Sequence, residues 1–257
     1  MSTRGRTLVA PRAARKARSM AKAHTTWTVL PHGPLERLSQ RLYRVEGALE
    51  GMPLKRVMSV AVRTDGGLVV HNAMALDEEG MKKLDALGPV AFIVVPNGYH
   101  RLDAPVFKSR YPAAKVVCPP AARSKVEEVV PVDLTYDGFE SDAAVTLEVL
   151  EGTKGREGVM TVSASGDVSL VFNDAIFNMP HVPGFTGFIF RHLTASTGGP
   201  KVSRIARLAV IADKRAFAAH LERLAGLPDL KRIVVSHHET IAQDAPRVLR
   251  DIAATLA

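Results

Sequence analysis

The chain has 257 residues, 46% of them apolar and 23% charged, enough to bury a core of ordinary size. No run of about 18 apolar residues occurs, which excludes a membrane-spanning helix. The single cysteine, Cys118, excludes a disulfide framework and any cysteine-cluster zinc or iron–sulfur site.

The net charge of +8 sits mostly at one end. Arg4, Arg6, Arg12, Arg15, Lys16, Arg18 and Lys22 stand among residues 1–23 without a single acid, leaving about +1 for the rest. Residues 1–26 therefore read as a disordered basic tail ahead of one domain over 27–257. The same composition suits an organellar targeting peptide, and Met20 is an alternative start. The expected location is cytoplasmic, or organellar if the tail is a transit peptide. Charge confined to a tail does not make a nucleic-acid-binding face, and neither nucleic acid nor membrane is an expected partner.

From Trp27 onward, short apolar runs alternate with Gly, Pro and Asp. Residues 41–46 and Val57–Arg63 alternate as strands, and Asp65-Gly66-Gly67 reverses the chain into a partner strand, Gly67–His71. Asp77–Leu87 reads as a helix with Asp77 capping it. Val90–Val95 is a continuous apolar run, the mark of a strand covered on both faces. Ala104–Tyr111 and 121–130 are candidate helices on either side of a short strand, Lys115–Cys118. Strands follow at Val145–Leu150, Gly158–Ala164 and Val168–Phe172. Residues 178–203, rich in Gly, Pro and Thr, read as an irregular stretch of the kind that covers a site. Lys214–Leu224 is an amphipathic helix, Leu230–Val235 a last buried strand, and Ile241–Leu256 a closing helix. Hairpins among alternating strands and helices indicate an α/β sandwich with mixed sheets.

Four of the apolar runs stop at a polar residue able to do chemistry. Gly-Leu-Val-Val ends at His71; Phe-Ile-Val-Val-Pro-Asn-Gly-Tyr runs to His100; Ser-Leu-Val-Phe-Asn ends at Asp174; Arg-Ile-Val-Val-Ser ends at His237, with His238 behind it. If these strands leave their sheets on one edge, their loops converge, and imidazoles with a carboxylate suit zinc, iron or manganese.

The segment order resembles the metallo-β-lactamase superfamily, and more closely a poorly characterised branch known only as a domain of unknown function. The stretches carrying it are LSQRLYRVEG, VMSVAVRTDGGLVVHNAMALDEEGMKKLDALGPVAFIVVPNGYHRLDAPVFKSRYPAAKVVCPP, SLVFNDAIFNMP and KRIVVSHHETI, over roughly 27–245. The resemblance implies a four-layer αββα sandwich with a metal site at one edge and, in active relatives, a hydrolytic dinuclear centre. The superfamily's His-x-His-x-Asp-His signature faces Asn97–Asp103 here, with one histidine, His100, and one aspartate, Asp103. The loop that carries a Gly-His-Thr histidine falls near Gly152–Gly155, which has none. Asp174 matches the bridging aspartate, His237 or His238 the last histidine, and His71 lies near the first-strand aspartate. About half of a two-metal donor set is present, which points to an eroded site.

The implied protein is a metal-dependent hydrolase holding one divalent cation on His100, Asp174, His237 and His238, with His71 and Asp103 as catalytic candidates. Its substrate is a small-molecule ester, thioester, lactone or phosphoester. The alternative is a metal-free scaffold that keeps the fold for binding. Arg101, beside His100, is a cation able to hold an anionic ligand in place of a lost metal. Gly152–Gly158 lacks the spacing of a phosphate loop and reads as a solvated hairpin approach, and Cys118 reads as buried and inert.

Overall fold

The computed structural model describes residues 23–256. The basic stretch up to residue 22, and with it most of the expected tail, lies outside the described residues. His24 is tied to the domain, its backbone N–H donating to Leu102 O and its ring 2.6 Å from Asp103.

In chain order the strands are β1 (Glu36–Arg37), β2 (Leu42–Leu49), β3 (Met52–Val62), β4 (Leu68–His71), β5 (Val90–Val94), β6 (Lys115–Cys118), β7 (Leu134–Thr135), β8 (Val145–Val149), β9 (Gly158–Ala164), β10 (Asp167–Phe172), β11 (Phe177–Met179), β12 (Gly199–Lys201) and β13 (Leu230–Val235). The helices are α1 (Glu78–Asp85), α2 (Ala104–Arg110), α3 (Arg123–Val126), α4 (Gly184–Phe188), α5 (Arg204–Ala209), α6 (Lys214–Ala225) and α7 (Ala245–Ala254).

Strands β1 to β7 form one sheet in sequence order. Its first four strands pair antiparallel through short reversals, where Gly66 takes a φ of +84°. From β4 to β7 the pairing is parallel, because α1, α2 and α3 each carry the chain back to the starting edge. The second sheet runs β13-β10-β9-β8, antiparallel except for the β10–β13 pair.

Side-chain alternation along these strands builds the layers. Met58 and Val60 of β3, Ile93 of β5 and Val116 of β6 point to one face, packing with Met81, Leu84 and Phe107 of α1 and α2. Their neighbours Val57, Ala61, Val94 and Val117 point the other way and meet Val145, Leu147, Met160, Val171 and Val234 of the second sheet. On the far face of that sheet, Leu170, Phe172, Ile233 and Val235 pack against Phe217, Leu221 and Leu249 of α6 and α7. Three apolar interfaces separate four layers, the αββα sandwich with mixed sheets. Each fully buried side chain of this size contributes about 1.5–3 kcal/mol of transfer free energy.

The differences from the sequence reading have local causes. Residues 178–203 are not irregular: they hold the β11–β12 ladder, α4 and a π-helical turn over Ile189–Leu193. The helix expected over 121–130 shrinks to α3, because Pro119 and Pro120 supply no backbone donors and the preceding turn is 3₁₀. Helix α7 begins at Ala245 and not at Ile241, since Ile241 exchanges both backbone hydrogen bonds with Ile233 and Pro246 then sits in the first turn.

Candidate metal centre

Strands β4 and β5 of the first sheet and β10 and β13 of the second all end at the same edge of the sandwich. The two sheets are sewn together there, with the Val57 N–H donating to Ser236 O at 2.8 Å. The chain leaves β5 into Asn97–His100, β10 into Asn173-Asp174 and β13 into Ser236-His237. Three of the expected residues meet: one donor atom each from His100, Asp174 and His237 lies within 4.8 Å of the others.

Asp174 Oδ1 stands 3.1 Å from His100 Nε2 and 3.2 Å from His237 Nε2. The opposite ring nitrogens fix the tautomers. His237 Nδ1 lies 2.9 Å from the Lys55 carbonyl, which can only accept, so that nitrogen carries the proton. His100 Nδ1 lies 3.2 Å from Asn72 Oδ1, and Asn72 shows that oxygen because its Nδ2 donates to Val57 O at 2.8 Å. In neutral imidazoles protonated at Nδ1, both Nε2 lone pairs then face the Asp174 carboxylate. Three electron-rich atoms at this spacing need a proton on each ring or a cation between them. The donor set therefore fits one divalent metal with His₂-carboxylate ligation, and it is too small for two.

Neighbouring groups hold this arrangement. Asn97 Nδ2 donates to Asp174 Oδ2 at 2.8 Å and to Glu157 Oε1 at 2.7 Å, while its Oδ1 accepts the N–H groups of Tyr99 and His100. The Phe177 ring stacks on His237 with centroids 5.5 Å apart. Burial opposes ionisation of Asp174, but His100 and His237 with their rings protonated outweigh it by charge and hydrogen bonds and hold the carboxyl well below the usual range. For Glu157 the balance reverses: burial, reinforced by the charge of Asp174, pushes its carboxyl well above the ordinary value. Among the described residues its Oε2 has no hydrogen-bond partner.

Above the triad opens a cavity of about 670 Å³ reached by Asp174, His237, Asn97 and Glu157. Leu54, Phe177, Phe190, Ile205 and Val210 make most of its wall apolar.

The other expected residues lie elsewhere. His71 is buried at the end of β4, and among the described residues neither of its ring nitrogens is hydrogen-bonded. Burial first, then the nearby His100, lowers its pKa to about 3, so it is neutral at pH 7. His238 turns away through a left-handed backbone (φ 63°) and accepts the Lys55 N–H at 3.3 Å through Nε2. Asp103 is fully buried at the start of α2, 2.6 Å from both Arg56 Nη2 and His24 Nδ1, and accepts the Ala75 N–H. Arg101 does not face the cavity; it pairs with Glu128 at 2.8 Å and bonds the Lys125 carbonyl. Cys118 is buried, its thiol pushed up to about 11 by that burial.

Sequence reasoning missed Asn72, Asn97 and Glu157. The stretch before β9 is the hairpin connection from β8 with Glu151, Lys154 and Arg156 exposed, as expected, but Thr153 and Glu157 within it are buried. The signal available was an acid placed directly against the apolar run Gly158-Val-Met.

No protein-family model matches this chain, and no curated protein matches it. Solved structures do. The metallo-β-lactamase DIM-1 superimposes with a TM-score of 0.60 at 12% identity, over 89% of this chain and 100% of that one. The chain has the metallo-β-lactamase fold. DIM-1 exposed to ceftazidime gives 0.59 at 11% identity over 90% of this chain and 100% of that one. A metallo-β-lactamase from Erythrobacter litoralis, with beta mercaptoethanol in its active site, gives 0.57 at 14% identity over 86% of this chain and 96% of that one. In the metallo-β-lactamase fold of this chain, the His100–Asp174–His237 group sits where four strand ends converge.

Proposed function

We propose that the chain is a mononuclear metal-dependent hydrolase. His100, Asp174 and His237 hold one divalent cation, zinc, iron or manganese, and a small-molecule ester, thioester, lactone or phosphoester occupies the cavity above them. The observation that carries this reading is the pair of Nδ1 contacts, to Lys55 O and Asn72 Oδ1, which in neutral rings leave both Nε2 lone pairs toward one point beside Asp174. Bound there, such a cation supplies Lewis acidity and an acidified water.

The chain's own groups do the positioning. Asn72 and the Lys55 carbonyl set the ring orientations, and Asn97 sets the second carboxylate oxygen of Asp174. The apolar wall around Phe177, Phe190 and Ile205 takes the substrate's apolar part and excludes water from the reacting bond. His71 backs His100 as an uncharged ring, which keeps the positive charge at the site low.

A second reading is supported by the same contacts. If both rings are doubly protonated, Asp174 Oδ1 accepts two charged hydrogen bonds, and the site performs acid–base work or binds an anion without metal. Metal content of the purified protein separates the two. About one equivalent that disappears in His100→Ala supports the hydrolase; protein that neither contains nor takes up metal contradicts it and leaves the metal-free site or a binding scaffold.

A further inference from the structure

We propose that α4, the π-helical turn after it and α5 form a cap that docks the protein on an anionic lipid surface. Of the eight large apolar side chains exposed among the described residues, five lie on this cap: Phe185 (79% exposed), Phe188, Leu193, Ile205 and Leu208 (88% exposed). Five such residues on two short neighbouring segments, α4 with its π-helical turn and α5, exceed the scattered apolar exposure normal for a monomer. The two elements are joined, with the Arg204 N–H donating to Thr194 O and its guanidinium to His192 O. Ile205 and Leu208 stand three residues apart, on one face of α5.

The charge of the cap selects the occupant. Between Asp174 and Asp213 the chain carries no acidic residue and four basic ones, Arg191, Lys201, Arg204 and Arg207. On the exposed cap itself the cations are Arg191 and Arg204, while Lys201 and Arg207 face α7 beside Asp251; apolar anchors flanked by arginines are the composition of an element that lies in a membrane interface. A second copy of the chain is disfavoured, because a two-fold contact through this face would bring the exposed Arg191 and Arg204 of both copies together with no acid on the cap to offset them. The cap is also continuous with the cavity, since Phe190, Ile205 and Ala209 line it. A surface that supplies amphiphiles would thus deliver an apolar chain directly to an apolar wall. The absence of a long apolar segment, from which no membrane partner was expected, bears on spanning and not on lying at a surface.

Docking stands apart from the metal reading, and its test measures no turnover. The full-length protein is sedimented with phosphatidylcholine vesicles with and without phosphatidylglycerol, at low and high salt. The expected result is co-sedimentation with the anionic vesicles only, reversed by salt. The variant Phe185→Ser/Leu208→Asp, still folded by circular dichroism, should bind about tenfold more weakly, and Arg191→Ala about fivefold more weakly. Both keep the basic N-terminal residues, so the differences report the cap. Equal binding by wild type and variants, or wild type left in the supernatant, would overturn the proposal. So would a lipid-free dimer by ultracentrifugation that Leu208→Asp dissociates, which would assign the face to a second copy.

Discussion

Asp103 and Asp174 both pair with histidines, and their surroundings separate structure from chemistry. Asp103 is fully buried, paired with the Arg56 guanidinium and His24, and completed by the Ala75 N–H. A fixed cation neutralises it, so nothing remains for a ligand. Among the described residues Asp174 has no guanidinium; it has two Nε2 atoms and an asparagine, and it reaches a cavity of about 670 Å³. In sequence both look alike, a carboxylate close behind an apolar run. The difference lies in whether the fold supplies the compensating charge or leaves it to be bound.

That contrast can be broken at several points. The largest effect is expected at Asp103. Asp103→Ala strands the buried Arg56 and should cost roughly 3–5 kcal/mol in chemical denaturation while leaving metal stoichiometry intact in the folded fraction. Asp174→Ala should do the reverse, abolishing metal uptake with a smaller loss of stability. If Asp174→Ala destabilised the protein as much as Asp103→Ala and left metal bound, the distinction would fail.

Next in size is an acid effect at His71. Its pKa of about 3 lies below the ordinary 6.5, so the unfolded chain binds a proton that the folded one refuses. The stability is fully present above pH 6.5 and is lost, by a few kcal/mol, as the pH falls through that window toward about 3. Urea unfolding of His71→Leu across the same range should show a flatter decline; a decline as steep as wild type would place the acid sensitivity elsewhere.

A smaller change of opposite sign belongs to Glu157, whose carboxyl is raised. Its contribution is complete below the ordinary 4.5 and is lost as the pH rises. Glu157→Gln keeps the acceptor for Asn97, so its stability relative to wild type should rise as the pH climbs above 4.5. A pH-independent difference would mean that Glu157 is ionised in the folded state. The smallest effect is expected at Arg101, whose partner Glu128 is half-exposed: Arg101→Ala should change stability by less than about 1 kcal/mol and leave metal content untouched. Loss of metal in that variant would return Arg101 to the site.

Much of the fold was legible because apolar runs at strand length mark buried strands whatever lies around them. Val90–Val94, Gly158–Ala164 and Leu230–Val235 appear where their runs stand. The strand ends at His100, Asp174 and His237 were legible for the same reason. Their convergence was not, since it depends on two sheets meeting at one edge. The cap was hidden because α4 and α5 are short and their apolar residues face outward, opposite to the pattern that periodicity reads. Asn72 and Asn97 carry no signal, since their role is to point one amide oxygen at one ring or two N–H groups. Asp103 misled because sequence spacing cannot show Arg56 arriving from β3.

The most direct test of the central claim is elemental mass spectrometry of the purified protein, with His100→Ala beside it. One divalent metal per chain, absent from the variant while its fold persists, is the expected result. Protein that holds no metal and acquires none on addition of zinc, iron or manganese would contradict it.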